Sequence, residues 1–165
     1  MAVKVTKRFP TYEDMVELTE NMRQLDIDEI EAVTNLGTLD CVVASVRNSE
    51  KHCCFAVFAD GVLVCIYGCS IVGNPWLLCT KAMNSHVVNL TRRTKRIVWM
   101  MSKRWPILSN IVDVRNKMTI RWLKTIGFTF KETIEIKPGF PVIRFEMVRD
   151  VKRISEVTPT KSTLI

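Results

Sequence analysis

The sequence predicts an α+β domain, a mixed but mainly antiparallel twisted sheet flanked by helices. Three observations carry that prediction. An Asp60-Gly61 pair sits between two apolar runs, which is a strong hairpin signal. Helical periodicity gathers before this hairpin and returns after it, so strands and helices do not alternate as they would in a doubly wound α/β protein. Finally, Asn116-Lys-Met-Thr-Ile-Arg-Trp-Leu-Lys-Thr-Ile-Gly127 reads as a short helix between two strand-like runs. Asn116 is suited to accept the orphan N–H groups at its start, and Gly127 to the left-handed position at its end. With 165 residues and 47% apolar content the chain can build a real core. One domain over residues 1–149 is expected, followed by a polar tail, 150–165, expected to be mobile.

Val3 to Arg8 alternates apolar and polar residues as a first strand would. Pro10 breaks it, and Thr11 with Asp14 three residues on offers a capping box. Met15, Leu18, Met22 and Leu25 then recur at helical spacing. A second helix is expected over Asp28 to Thr34, and a third from Thr38 or Asp40, with Leu39, Val42, Val43 and Val46 apolar. Cys53 to Ala59 and Val62 to Ile71 form the two arms of the hairpin, and Gly73-Asn74-Pro75 turns into a further strand, Trp76 to Thr80. A long basic helix is expected from about Ser85 to Lys103, its apolar stripe including Val88, Ile97, Val98 and Met101. Pro106 stops it. Ile107 to Val114, Phe128 to Ile136 and Val142 to Val148 complete the strands, with Lys137-Pro-Gly-Phe-Pro141 as the last turn.

The formal charge of +7 is uneven. Acids concentrate between Glu13 and Glu31, bases between Arg92 and Arg104 and again at Lys117, Arg121 and Lys124. Such a basic face attracts nucleic acid or the phosphates of a cofactor, and DNA binding through the basic helix is one reading of it. The plain alternative is a solvated helix face. No apolar run is long enough to suggest a membrane span, and MAVKVTKRFP lacks the apolar middle of a secretory signal. The 6 cysteines lie in apolar runs without a CxxC or neighbouring histidines, which argues for buried free thiols in a reducing, intracellular compartment and against zinc. Trp99, Trp105 and Trp122 are expected in the core, with Met100 and Met101 as filler in the same layer.

The order of elements, together with Asn116…Gly127-Phe128, resembles the GCN5-related N-acetyltransferase fold. That resemblance implies acetyl-CoA, with the 116–127 helix packed beside it. It also implies a Tyr, seven residues after the Asn, that protonates the departing thiolate; Leu123 stands there and has no proton to give. The family binds the cofactor's pyrophosphate at the start of the helix after the fourth strand, in a glycine-rich loop whose backbone N–H groups approach the phosphates. The corresponding stretch, Thr80-Lys-Ala-Met-Asn-Ser-His, has no glycine, and none occurs between Gly73 and Gly127. If acetyl-CoA binds, the resemblance assigns it to Leu78, Cys79, Thr80, Lys81, Asn84, Ser85, His86 and Asn116; otherwise the chain uses no cofactor. Candidates for acid–base work are His86, at the cofactor loop, and Asp113, which alternation on its strand places at an edge or surface. A buried thiol is the simpler reading of Cys79.

Val114-Arg-Asn116 and Ile120-Arg-Trp-Leu-Lys-Thr-Ile-Gly127 are also similar to a narrower group, the small acetyltransferase-like internal virion proteins of short-tailed phages related to coliphage T7. This likeness implies a role in phage morphogenesis through contacts with other virion or assembly proteins, in the host cytoplasm and in the virion interior. Two functions therefore stay open: a non-catalytic assembly protein, and an active acetyl-CoA-dependent N-acetyltransferase acting on a protein or a small amine.

Overall fold

The structure is a computed structural model and describes residues 2–149. The expected tail, 150–165, lies outside the described residues. Seven strands and five helices follow in the order β1 (Val5–Arg8), α1 (Tyr12–Glu20), α2 (Gln24–Val33), α3 (Thr38–Arg47), β2 (Phe55–Ala59), β3 (Val62–Cys69), β4 (Pro75–Cys79), α4 (Val87–Arg104), β5 (Ile107–Asp113), α5 (Lys117–Ile126), β6 (Thr129–Lys137) and β7 (Phe140–Val148). Short 3₁₀ turns at Lys51–Cys53 and Lys81–Ser85 precede β2 and α4.

The capping box read at Thr11 is present. Its hydroxyl accepts from Asp14 N, and the Asp14 carboxylate accepts from Thr11 N while pairing with Arg8. The hairpin also forms as its residues dictate, with Asp60 and Gly61 both at positive φ (48° and 83°), the combination a tight β2–β3 turn needs. Helix α2 begins at Gln24, four residues before the expected Asp28. Arg23, the residue before it, anchors that start with a local guanidinium–Asp26 pair and by donating its backbone N–H to Cys79 O, a distant contact that no local pattern encodes.

Instead of one continuous sheet there are two, β1-β2-β3-β4 and β5-β7-β6, each antiparallel throughout. Only side chains and loops join them across β4 and β5. Ser109 N donates to Gly73 O at 3.3 Å, and the Asn110 amide donates to Pro75 O at 2.8 Å. At the other end Arg23 and Asp26 of the α2 start bond Cys79, while Glu29 bonds Asp113. β4 and β5 therefore run in the same direction, so the mixed character expected of the sheet survives in strand direction without a ladder between the two.

Helices α1–α3 cover one face, where Leu18, Val42, Leu63 and Ile66 are wholly or almost wholly buried. Full burial of each such side chain contributes about 1.5–3 kcal/mol. α4 and α5 cover the other face, with Val98, Met101, Leu108, Leu123 and Phe145 in its core. Three expectations for α4 fail here. Val88 is 88% exposed, and Trp99 and Met100 are each 57% exposed. Of the expected stripe, Val98 and Met101 are buried and Ile97 is partly buried against the same core, while Val88 falls off it and Leu90 turns inward instead.

Candidate active-site cleft

Where β4 and β5 part, antiparallel alternation decides which backbone groups are left over. Thr80 N donates to Val64 O, towards β3, so Cys79 and Leu77 direct their N–H and C=O groups, and Pro75 its C=O, the other way, into the gap. Pro75 O is taken by Asn110, whose own side-chain oxygen accepts from Ile111 N at 2.8 Å. Cys79 O accepts from Arg23 N, and Cys79 N donates to Asp26 at 3.1 Å. Leu77 alone is left with a free donor and a free acceptor on this edge. Its side chain lines a cavity of about 500 Å³ that opens between the two sheets.

One wall of the gap is acidic. Arg23 and Asp26 form a buried pair, with Nε–Oδ2 at 3.0 Å and Nη2–Oδ1 at 2.9 Å. One turn on, Glu29 is partly buried, lines the cavity and accepts from Asp113 N at 2.9 Å. Burial raises its carboxyl to about 7, with Asp26 and Asp113 adding to the rise while the Asp113 N–H and Arg23 oppose it. A carboxyl poised near neutrality in a cleft is fitted to take a proton from an amine. Sequence reasoning missed Glu29 because it sought a base on the strands. The residue comes from a helix 84 positions before its partner Asp113.

Asp113 itself stands on an edge strand, one of the two places alternation suggested, but it is only 1% exposed rather than at the surface. Burial works to raise its carboxyl, but hydrogen bonds from the Arg115 side chain (2.6–3.1 Å) and backbone N–H (2.8 Å) overcome this and hold it below the usual carboxylate range. It is thus a fixed anion whose acceptors are occupied, a poor proton carrier.

The remaining sequence candidates divide into three groups. Leu78 and Asn116 line the cavity; Asn116 also caps α5, its Oδ1 accepting from Thr119 N. Cys79 and Thr80 are spent on the fold: the Thr80 hydroxyl donates to Leu63 O, and burial pushes the Cys79 thiol well above its ordinary value. Lys81, Asn84, Ser85 and His86 sit on the approach to α4, outside the main cavity. His86 is the residue preceding α4 and makes no side-chain cap; its Nδ1 is buried without a partner among the described residues. The first intrahelical bond is Leu90 N to His86 O, which leaves the N–H groups of residues 87–89 free. Between α4 and α5 the chain is closed by Trp122, whose indole donates to the Thr91 hydroxyl at 3.2 Å. Leu123 is 6% exposed and forms part of the cavity wall.

Among the described residues no His/Cys/Asp/Glu group could hold a metal, and no helix is long and apolar enough to cross a membrane. All 6 cysteines are free, Cys41 and Cys53 only partly buried. The bases of α4 are exposed. Arg92, Lys95, Arg96 and Lys103 share one face with Trp99, over which Lys103 sits, while Arg104 at its border pairs with Glu50.

A sheet split between two parallel-running strands, with a helix starting beside the split, is similar in fold to solved structures of acetyltransferases. The chain aligns with Ard1 from Thermoplasma volcanium at TM-score 0.65 and 12% identity, covering 87% of this chain and 97% of that one. It aligns with spermidine N-acetyltransferase from Vibrio cholerae, solved with CoA and spermine, at 0.63 and 12%, covering 87% and 95%. A putative acetyltransferase, YncA from Salmonella typhimurium with acetyl-CoA, gives 0.60 and 12%, covering 96% and 99%. No family model and no curated protein matches the sequence. The chain has the GCN5-related N-acetyltransferase fold.

Proposed function

We propose that the protein is an acyl-CoA-dependent N-acyltransferase whose general base is Glu29. The observation that carries this reading is a partly buried carboxyl, raised to about 7, in the gap between β4 and β5. Acetyl-CoA, a ligand of the solved YncA structure, would bring the activated acyl group. The residues present fit it in part. Leu77 offers one N–H and one C=O for the pantetheine amides, and the free N–H groups of residues 87–89, after the 3₁₀ turn that Lys81 opens, offer a site for the pyrophosphate. Every loop side chain keeps its Cβ there, so the phosphates would lie further from the backbone than in a glycine loop.

Glu29 as a carboxylate takes the proton of the acceptor amine as its nitrogen attacks, while Asp113 N–H and Arg23 hold the carboxylate in place. Arg23 and Arg115 neutralise Asp26 and Asp113, so Glu29 as a carboxylate supplies the excess negative charge on that side of the cleft, suited to a cationic acceptor. Leu123 donates nothing, so the leaving sulfur takes its proton from solvent. The test is an amine screen with thiol release as readout. Glu29→Gln should lower kcat about 10²–10⁴-fold, and the wild-type rate should rise with pH through about 7. A Glu29→Gln enzyme as fast as wild type sinks the assignment.

A second reading keeps the phage likeness: an assembly protein that uses the fold without catalysis. It rests on Leu123 at the acid position, the glycine-free loop, and the exposed Val88, Trp99 and Met100 amid the bases of α4, a face suited to virion proteins or packaged DNA. The structural likenesses carry the fold and not this assignment. DNA affinity that falls steeply with salt would support its nucleic-acid form, and turnover with any amine would remove it.

A further inference from the structure

One backbone bond, Ser109 N–H to Gly73 O, crosses between the β4 and β5 sides of the split, and it fixes the register that a parallel ladder between these strands would follow. In that register Pro75 N would donate to Ser109 O and Ile111 N to Pro75 O. Leu77 N would then donate to Ile111 O, Asp113 N to Leu77 O and Cys79 N to Asp113 O. None of these bonds forms. Proline has no N–H to give, and the Asn74 side-chain amide donates to Ser109 O in its place at 2.8 Å. At the other end Glu29 takes the Asp113 N–H and Asp26 takes the Cys79 N–H. Between the two ends stands Asn110. Its Oδ1 accepts from Ile111 N and its Nδ2 donates to Pro75 O, both at 2.8 Å. The donor and the acceptor of one ladder bond are thus both held, and held apart, by a single side chain. The amide fits only this way round, because it meets an N–H on one side and a C=O on the other. Beyond it the Leu77 N–H and the Ile111 C=O face the gap with no partner among the described residues.

We infer that Asn110 is a positioning residue, the wedge that keeps β4 and β5 apart and leaves Leu77 free to meet a ligand. Asn is a poor strand former, yet it stands inside β5 with the core residue Phe145 as its register partner. A β-branched apolar residue would suit both the strand and that neighbour, and it would release Ile111 N to bond Pro75 O directly. The split is therefore made by the side chain and does not follow from the strands themselves. Glu29 and Asp26 hold the other end of the split as part of the acidic wall, and Asn110 bonds to neither of them. The wedge stands without the acyltransferase reading, while its consequence for acetyl-CoA rests on that reading.

The test is amide hydrogen exchange of the full chain, read residue by residue by NMR, in wild type, Asn110→Val and Asn110→Asp. In wild type the Leu77 amide should exchange about tenfold or more faster than that of Leu78, which faces Ile66 in the β3–β4 ladder. Asn110→Val should let the strands close, so that Leu77 N gains Ile111 O as its acceptor and its exchange slows about tenfold or more. Asn110→Asp still accepts from Ile111 N and repels Pro75 O, so Leu77 should stay within about threefold of wild type. A merely structural role predicts the opposite for Asn110→Val, faster exchange as the fold loosens. Should that variant not fold, Asn110→Ala serves with the same readout and the same expected direction. A Leu77 amide already protected in wild type, or one as fast in the Val or Ala variant as in wild type, overturns the inference. Acetyl-CoA titration of the same proteins reads the consequence: the closed cleft should bind about tenfold more weakly. Unchanged affinity in a variant whose Leu77 exchange has slowed would overturn that consequence. Slowed exchange in the variant, with no acetyl-CoA bound even by wild type, would remove the acyltransferase reading and leave the wedge standing.

Discussion

The two halves of the cleft are built differently. On the α2 side every polar group has a designated partner: Arg23 with Asp26, Asp26 with Cys79 N, Glu29 with Asp113 N, Asp113 with Arg115. On the α4 side the polar groups are unmatched: three free N–H groups at the helix start, the orphaned Nδ1 of His86, the orphaned hydroxyl of Tyr67 and an uncapped helix end. The first half is a finished network that fixes one carboxyl near neutrality without any ligand. The second leaves those groups without partners among the described residues. In the proposed reading proton transfer belongs to the α2 half, and binding of the acyl donor's phosphates to the α4 half.

The contrast can be broken most forcefully at Glu29, where the Gln substitution removes the base and should cost two to four orders of magnitude in kcat with little change in fold, as read by steady-state kinetics beside circular dichroism. Next comes Asp26→Ala. It strands a nearly buried Arg23 and the Cys79 N–H together, and should destabilise by about 3–5 kcal/mol in urea melts. Replacing a residue on the α4 half, such as Ser85→Ala or His86→Ala, should leave the unfolding free energy from urea melts within about 0.5 kcal/mol of wild type, because no side-chain cap is lost there.

A pH titration sharpens the same comparison. Glu29 is raised in the folded state, so the fold binds the proton more tightly than the unfolded chain does. Its contribution is fully present below the ordinary value of 4.5 and is lost as pH rises to about 7. Glu29→Gln should match wild type at pH 4 and exceed it at pH 8 by about 1–3 kcal/mol. Asp14 and Asp113 are held below their ordinary values and work in the opposite direction, losing stability as pH falls. Only the difference between variant and wild type therefore isolates Glu29. A modest effect is expected at the helix cap, where Asn116→Ala should cost about 1 kcal/mol.

The parts of the molecule legible in the sequence were those held by near neighbours. Thr11 with Asp14, Asp60 with Gly61, and Asn116 with Gly127 at φ 112° each close within a few residues, so residue type alone specified them. Leu123 was read correctly as a side chain with nothing to donate, and it is a wall of the cavity. What escaped was decided at a distance. The start of α2 depends on Cys79, and the environment of Glu29 depends on Asp113. The burial of Asp113 in turn depends on Arg115 and on the α2 helix folding over it. On α4 the inward line through Ile97, Val98 and Met101 was legible, but Val88, Trp99 and Met100 were misplaced, because apolar residue type alone does not tell an exposed helix position from a buried one.

The account turns on whether the unmatched half of the cleft takes a nucleotide-bearing acyl donor. The most direct measurement is calorimetric titration of the purified protein with acetyl-CoA and with CoA at modest salt, in wild type and in Glu29→Gln. Micromolar binding of acetyl-CoA by both, with turnover lost only in the variant, is what the division between a binding half and a proton-transfer half predicts. No heat and no thermal stabilisation at millimolar acetyl-CoA would contradict it and leave a fold that acts through its surface.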